Sequence, residues 1–206
     1  MHHDQELAED ARYARIFGVG VIILVLEVVG GWASGSLSLL SDAGHVGVDL
    51  AALSSGIWVA RRIRLSKSKA PRLRELTAYF HGLLLFAISA SILVEAYERL
   101  SEPHSVQSTA ILVIAVIGFC GNVLQYRLSG RAENLTHQGI NWHILSDMLQ
   151  SAAVIVCAIA IKVTSVASID AFTSAVLAIW LFAGGLWLIV LGRNGNAHSH
   201  HHSSHS

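Results

Sequence analysis

Two histidine and aspartate pairs carry the chemistry of this chain: His45 with Asp49 in "SDAGHVGVDL", and His143 with Asp147 in "INWHILSDMLQS". A spacing of four residues puts both members on one helical face, a turn from each other. Two such helices can therefore bring two imidazoles and two carboxylates to a common centre. Four N and O donors in a roughly tetrahedral array suit zinc, because imidazole ligates while neutral and carboxylate cancels the ion's charge. Near the centre of a membrane helix each aspartate costs about 2.5–3.5 kcal/mol, so the two together cost roughly 5–7 unless protonated, paired or hydrated. A bound divalent cation compensates directly. A single such pair would read first as a hydrogen-bonded structural contact. Two copies in separate apolar segments point to a cation site.

The segments that must position them are membrane helices. The chain has 206 residues, 53% of them apolar and only 14% charged, too few charges for an ordinary water-facing surface. Six apolar segments, near 15–34, 37–60, 75–97, 106–127, 139–161 and 168–192, each approach the roughly 20 residues needed to cross the hydrocarbon core. An all-α, polytopic six-helix bundle follows, since lone strands would leave their backbone groups unpaired in lipid. The polar start "MHHDQELAEDARYAR" shows no cleavable signal. Twelve of the fourteen Lys and Arg residues, seven of them in "RRIRLSKSKAPRLR", fall on the N-terminal side of that topology, and only Arg99 and Lys162 on the other. This bias predicts that both termini are cytoplasmic, with residues 1–14 as an N-terminal segment, 15–192 as the transport domain and 193–206 as a His-rich tail. The basic 61–74 stretch lacks interleaved aromatics, so it reads as a topology signal rather than a nucleic-acid patch.

Helix direction constrains the pairing. Segments two and five run oppositely, so His45 is expected level with Asp147, and Asp49 with His143. Span midpoints offset the second pair by several Å, at about 1.5 Å per residue.

Around these residues lie further candidates. Asp42 shares a face with His45 and could guide cations, orient the imidazole, or cap the helix start. Glu27 sits inside segment one, as a proton or polar-network residue or as a structural hydrogen bond. His81 reads first as a helix–helix contact, as do Asn122, Gln125 and Gln150. Asp170 and Glu95 are expected at hydrated outer ends, with Asp170, like Asp42, Glu27 and His81, a candidate to support the ligands or line the ion pathway. Cys120 and Cys157 read as packing residues rather than soft metal ligands. Glycines at 30, 31, 44, 47, 118, 121, 184 and 185 are expected to let helices approach closely.

The stretch "EVVGGWASGSLSLLSDAGHVGVD" closely resembles the first two membrane helices of the cation diffusion facilitator family. "NWHILSDMLQSAAVIVCA" is similar to its helix five, "SIDAFTSAVLA", with Asp170, to the start of helix six, and "RELTAYFHGLLLFAISASILVEAYERL" to helix three. The resemblance implies proton-coupled, alternating-access efflux of a divalent metal, zinc first and cadmium, cobalt or others besides. It also implies a homodimer, here through the membrane domain, and a bacterial inner-membrane setting, with His45, Asp49, His143 and Asp147 as the transport site and no enzymatic activity. Such proteins usually continue into a soluble cytoplasmic domain, whereas this sequence stops soon after its last span with "RNGNAHSHHHSSHS". It is expected to be either a short member or a truncated one. His198, His200, His201, His202 and His205 are expected to collect metal weakly, or to be a purification remnant, with the serine-broken run favouring the former. Two rival readings are a membrane metal receptor or assembly subunit, and an intramembrane metal-dependent hydrolase. The hydrolase is disfavoured because the chain has no HExxH and no GxSxG spacing.

Overall fold

The computed structural model describes the backbone of residues 2–65, 70–102, 104–129 and 135–200, with side chains at 11–12, 14–55, 76–77, 79–102, 104–129, 144–187 and 189–190. All regular structure among these residues is helical. The elements are α1 (His2–Ser34), α2 (Leu37–Leu65), α3 (Ala70–Ser101), α4 (Ser108–Ser129), α5 (Leu135–Thr164) and α6 (Ser168–His200).

Five of them contain a stretch long and apolar enough to cross a membrane: Ala14–Ser34, Tyr79–Ser101, Ser108–Ser129, Ile144–Thr164 and Ser168–Trp187. The sequence predicts six. The helix that falls short among the described residues is α2, whose apolar character is diluted by Ser38, Ser41, Asp42, His45 and Asp49. Its six-helix setting makes it the polar core of an apolar bundle. The outward surface says the same: Trp32 is 83% exposed, and Ile22, Val29, Leu83, Val156, Phe172, Trp180 and Trp187 also face outward, while Glu27, Asp42, Asn122, Asp147 and Ser151 are buried. Apolar outside and polar inside is the arrangement lipid requires.

The packing falls into two groups. Helix α1 packs on α2 and α4, and α4 on α5, while α3 pairs closely with α6. The α3–α6 contact is tight because Gly82 and Gly185 meet: a Cβ on either would come within 3.1 Å of the other's carbonyl oxygen. Helix α2 joins the groups, touching α1, α3, α5 and α6. Leu37 and Val48 of α2 pack with Leu85, Ile92 and Leu181, and Leu39 packs with Ile111, Ala115, Val154 and Leu177.

The entry of the chain into α2 is fixed at both ends of a tight turn. Gly35 takes φ +71°, while the Ser36 N–H donates to Gly31 O at 3.0 Å and the Gly35 N–H to Trp32 O at 3.4 Å. This is a Schellman closure, which favours glycine at the left-handed position. The Ser36 hydroxyl then caps α2, accepting the Leu39 N–H at 3.2 Å. Arg99 of α3 donates to Gly35 O at 2.5 Å, tying the turn to the neighbouring helix.

Asp170 completes this junction, and here the structure departs from the expected hydrated position. It is 1% exposed. Its carboxylate accepts the Ser36 and Ser38 hydroxyls at 2.7 and 2.6 Å and the Leu37 and Ser38 N–H groups at 2.6 and 3.3 Å. An anion at a helix N-terminus satisfies donors that have no partner within the helix and complements the helix dipole, which removes the need for water.

Candidate metal site

Positions 45 and 49 lie a turn apart on α2, and position 147 faces them from α5. Nε2 of His45 stands 3.3 Å from Oδ2 of Asp49 and 3.2 Å from Oδ1 of Asp147. One ligand atom from each of the three lies within 4.8 Å of the others. All three side chains are at most partly exposed. With metal–ligand bonds of about 2.0–2.1 Å, the edge of a zinc tetrahedron measures roughly 3.3–3.4 Å. The two His–Asp separations match that edge.

The expected levelling of His45 with Asp147 is thus realised. Position 143 lies in α5, one turn before Asp147, with its side chain outside the described residues. The same holds for the tail histidines: His198 and His200 end α6 with undescribed side chains, and His201, His202 and His205 lie outside the described residues.

Behind the three donors a second polar layer joins α1, α2, α4 and α5. Asn122 of α4 donates to Ser151 Oγ at 3.1 Å, and Ser151 donates to Asp42 Oδ2 at 3.0 Å. Asp42 is fully buried. Ser151 follows Asp147 by four residues on the same face of α5, the one signal in the sequence for its place in this layer. Glu27 of α1 is fully buried against Gly118 of α4, where a Cβ would come within 2.6 Å of Oε1.

The other candidates lie elsewhere. His81 is buried and shares a hydrogen bond of 3.1 Å with Ser55 of α2, the helix–helix contact expected of it. Gln125 donates to Ile16 O at 2.9 Å, joining α4 to α1. The Gln150 amide is buried and finds no hydrogen-bond partner among the described residues. Glu95 pairs with Arg99 at 2.8 Å. Cys157 is buried beside Ser38, and Cys120 is exposed on the outer face.

The sequence profile of the cation efflux transmembrane domain matches residues 14–191. The chain belongs to the cation efflux family. The resemblance carried by the helix-two and helix-five motifs is borne out at this level. Among relatives of this cation efflux chain, the metal cation efflux system protein CzcD of Cupriavidus metallidurans is 37% identical over 165 residues, 77% of this chain and 52% of the relative. The zinc transporter ZitB of Escherichia coli is 34% identical over 171 residues, 78% of this chain and 55% of the relative. A cadmium, cobalt and zinc/H(+)-K(+) antiporter of Bacillus velezensis is 33% identical over 174 residues, 79% of this chain and 55% of the relative. The chain spans about half the length of these curated relatives. Their names and the family's describe transporters, not enzymes.

Proposed function

We propose that this chain is the transport domain of a divalent-metal efflux protein, with zinc as its first cargo and protons as the exchanged ion. One observation carries the reading: His45, Asp49 and Asp147 converge from two helices in the buried polar centre of an otherwise apolar bundle. Two aspartates and an imidazole in lipid-enclosed surroundings are costly unless a cation shares them. His143, a helical turn from Asp147 in α5, is the fourth ligand of this reading. The names of the relatives, which mention zinc, cadmium, cobalt and protons, support the choice of ions.

In this mechanism a cytoplasm-facing state admits the ion, which displaces protons from the imidazoles and carboxylates as it binds. Metal and proton compete for the same lone pairs. When the helices rock to face outward, external protons reclaim the histidines, whose unperturbed pKa of about 6.5 lies in the working range, and the ion leaves. Oxygen donors in place of thiolates keep the affinity modest enough for release. Bacterial inner-membrane residence, a homodimer through the membrane helices, cytoplasmic termini and weak metal collection by the tail belong to the same reading.

Reconstituted vesicles test it. An imposed pH gradient should drive zinc across the membrane, and dissipating the gradient should stop net accumulation. Zinc binding without gradient-driven movement would replace the transporter with a metal receptor, and peptide cleavage would replace it with a hydrolase.

A further inference from the structure

Four carboxyl groups lie in one polar region, those of Glu27, Asp42 and Asp147 buried and that of Asp49 partly so, and of these Asp49 and Asp147 belong to the metal site. Glu27 and Asp42 are both fully buried. Neither oxygen of Glu27 meets a hydrogen-bond donor from a backbone amide, hydroxyl, amide side chain or cation among the described residues, nor does Oδ1 of Asp42; the two carboxyls lie within hydrogen-bonding reach of each other. Asp42 and Asp147 are the charged neighbours of Glu27. From α2, His45 and Asp49 also face Asp42, and Asp147 does so from α5. Helix α4 presents only the neutral Asn122 and the bare backbone of Gly118. No Lys or Arg contacts either carboxyl among the described residues.

These three oxygens, turned toward each other with no donor between them, identify their ligand. A carboxylate out of water is tolerated only beside a counter-charge. Calcium and magnesium take about six or more oxygens, and zinc sites favour nitrogen or sulfur donors, so the donor set here is too small and too hard for a metal ion. A proton needs only two oxygens, and close carboxyl pairs share one because both cannot ionise together.

We propose that Glu27 and Asp42 form a second proton-binding site, outside the metal ligand set, that gives up a proton when the divalent cation binds nearby. The inference rests on the transport reading above. With the metal absent, both carboxyls are neutral acids. Arrival of two positive charges at His45, Asp49 and Asp147 favours loss of one proton to bulk water, leaving a carboxyl and a carboxylate that share the other. The coupling is electrostatic, so these groups exchange protons for metal without ligating it.

The test is a zinc titration of the purified full chain in weakly buffered detergent with a pH indicator. It is run on wild type and Glu27→Gln, in sodium, potassium and choline salts. The number of protons released per zinc also sets the slope of log Kd against pH. Glu27→Gln should release about one proton fewer per zinc and flatten that slope by about one, with the same count in all three salts. A variant that folds poorly leaves a wild-type readout: when zinc is added, infrared difference spectra should show the protonated-carboxyl C=O stretch weakening and shifting as one proton leaves and the other is shared. Equal proton release in Glu27→Gln, a C=O stretch unchanged in position and intensity, or a count that depends on sodium or potassium overturns the pair while the metal site stands. A wild type that binds no zinc overturns both.

Discussion

At the scale of residues, the site trades stability for binding. Asp49 and Asp147 stand against one imidazole nitrogen, at 3.3 and 3.2 Å from His45 Nε2, and each is a carboxyl group that a bundle interior would otherwise exclude. Replacing either by alanine removes a proposed ligand and a desolvated polar group together. Zinc affinity is expected to fall by about 100-fold or more, beyond the effect of losing an outer partner, while the metal-free protein melts at the same or a higher temperature. His81→Ala removes one interhelical hydrogen bond, worth about 0.6 kcal/mol in membranes, and leaves zinc affinity within a few-fold. Competition with a fluorescent chelator and thermal melts in detergent check both halves. Asp49→Ala and Asp147→Ala binding zinc like wild type would remove these carboxylates from the site. The convergence of His45, Asp49 and Asp147 was legible because the four-residue spacing and the cost of intramembrane charge leave few alternatives. The Ser151–Asp42 contact was not, since a serine in a membrane helix carries no such cost and only its position four after Asp147 hints at a role.

At the scale of elements, α2 depends on a partner for its first turn. Asp170 reaches from α6 to four donors on Ser36, Leu37 and Ser38, so the same junction that starts α2 also sets the height of His45 and Asp49 above it. Asp170→Ala should cost about 2–4 kcal/mol, the range of a lost helix cap together with hydrogen bonds to a charged group. Asp170→Asn should cost less, because its oxygen still accepts. Denaturant or thermal unfolding in detergent measures the order, and a zinc titration should show weaker binding in the alanine variant through displacement of α2. An unchanged melting temperature in Asp170→Ala would contradict the cap. Hydropathy located the five apolar spans to within five residues, though α1 begins thirteen residues before its predicted segment, and it placed Asp170 in water. The reason is physical: a periodic apolar pattern shows where a helix lies, whereas the partner of a terminal carboxylate is set by how a distant turn packs. Gly35 had the same ambiguity until its φ of +71° fixed the turn.

At the scale of the whole molecule, the direction of transport depends on which side holds the helix ends. The distribution of Lys and Arg, twelve against two, gives an orientation from charge alone. The bundle itself is indifferent, since inverting it in the membrane leaves every internal contact unchanged. Orientation and site therefore come from independent physics, and each can fail without the other. In the proposed orientation α2 descends from the outer face at Ser36 toward the basic 61–74 stretch, and Glu102, after α3, lies outside. Ser66→Cys and Glu102→Cys, each made with Cys120 and Cys157 replaced by alanine, separate the two orientations. A membrane-impermeant maleimide on intact cells should label position 102 and leave position 66 unlabelled until the membrane is opened. The reverse pattern would put the termini outside, and the same site and proton pair would then have to work as an importer.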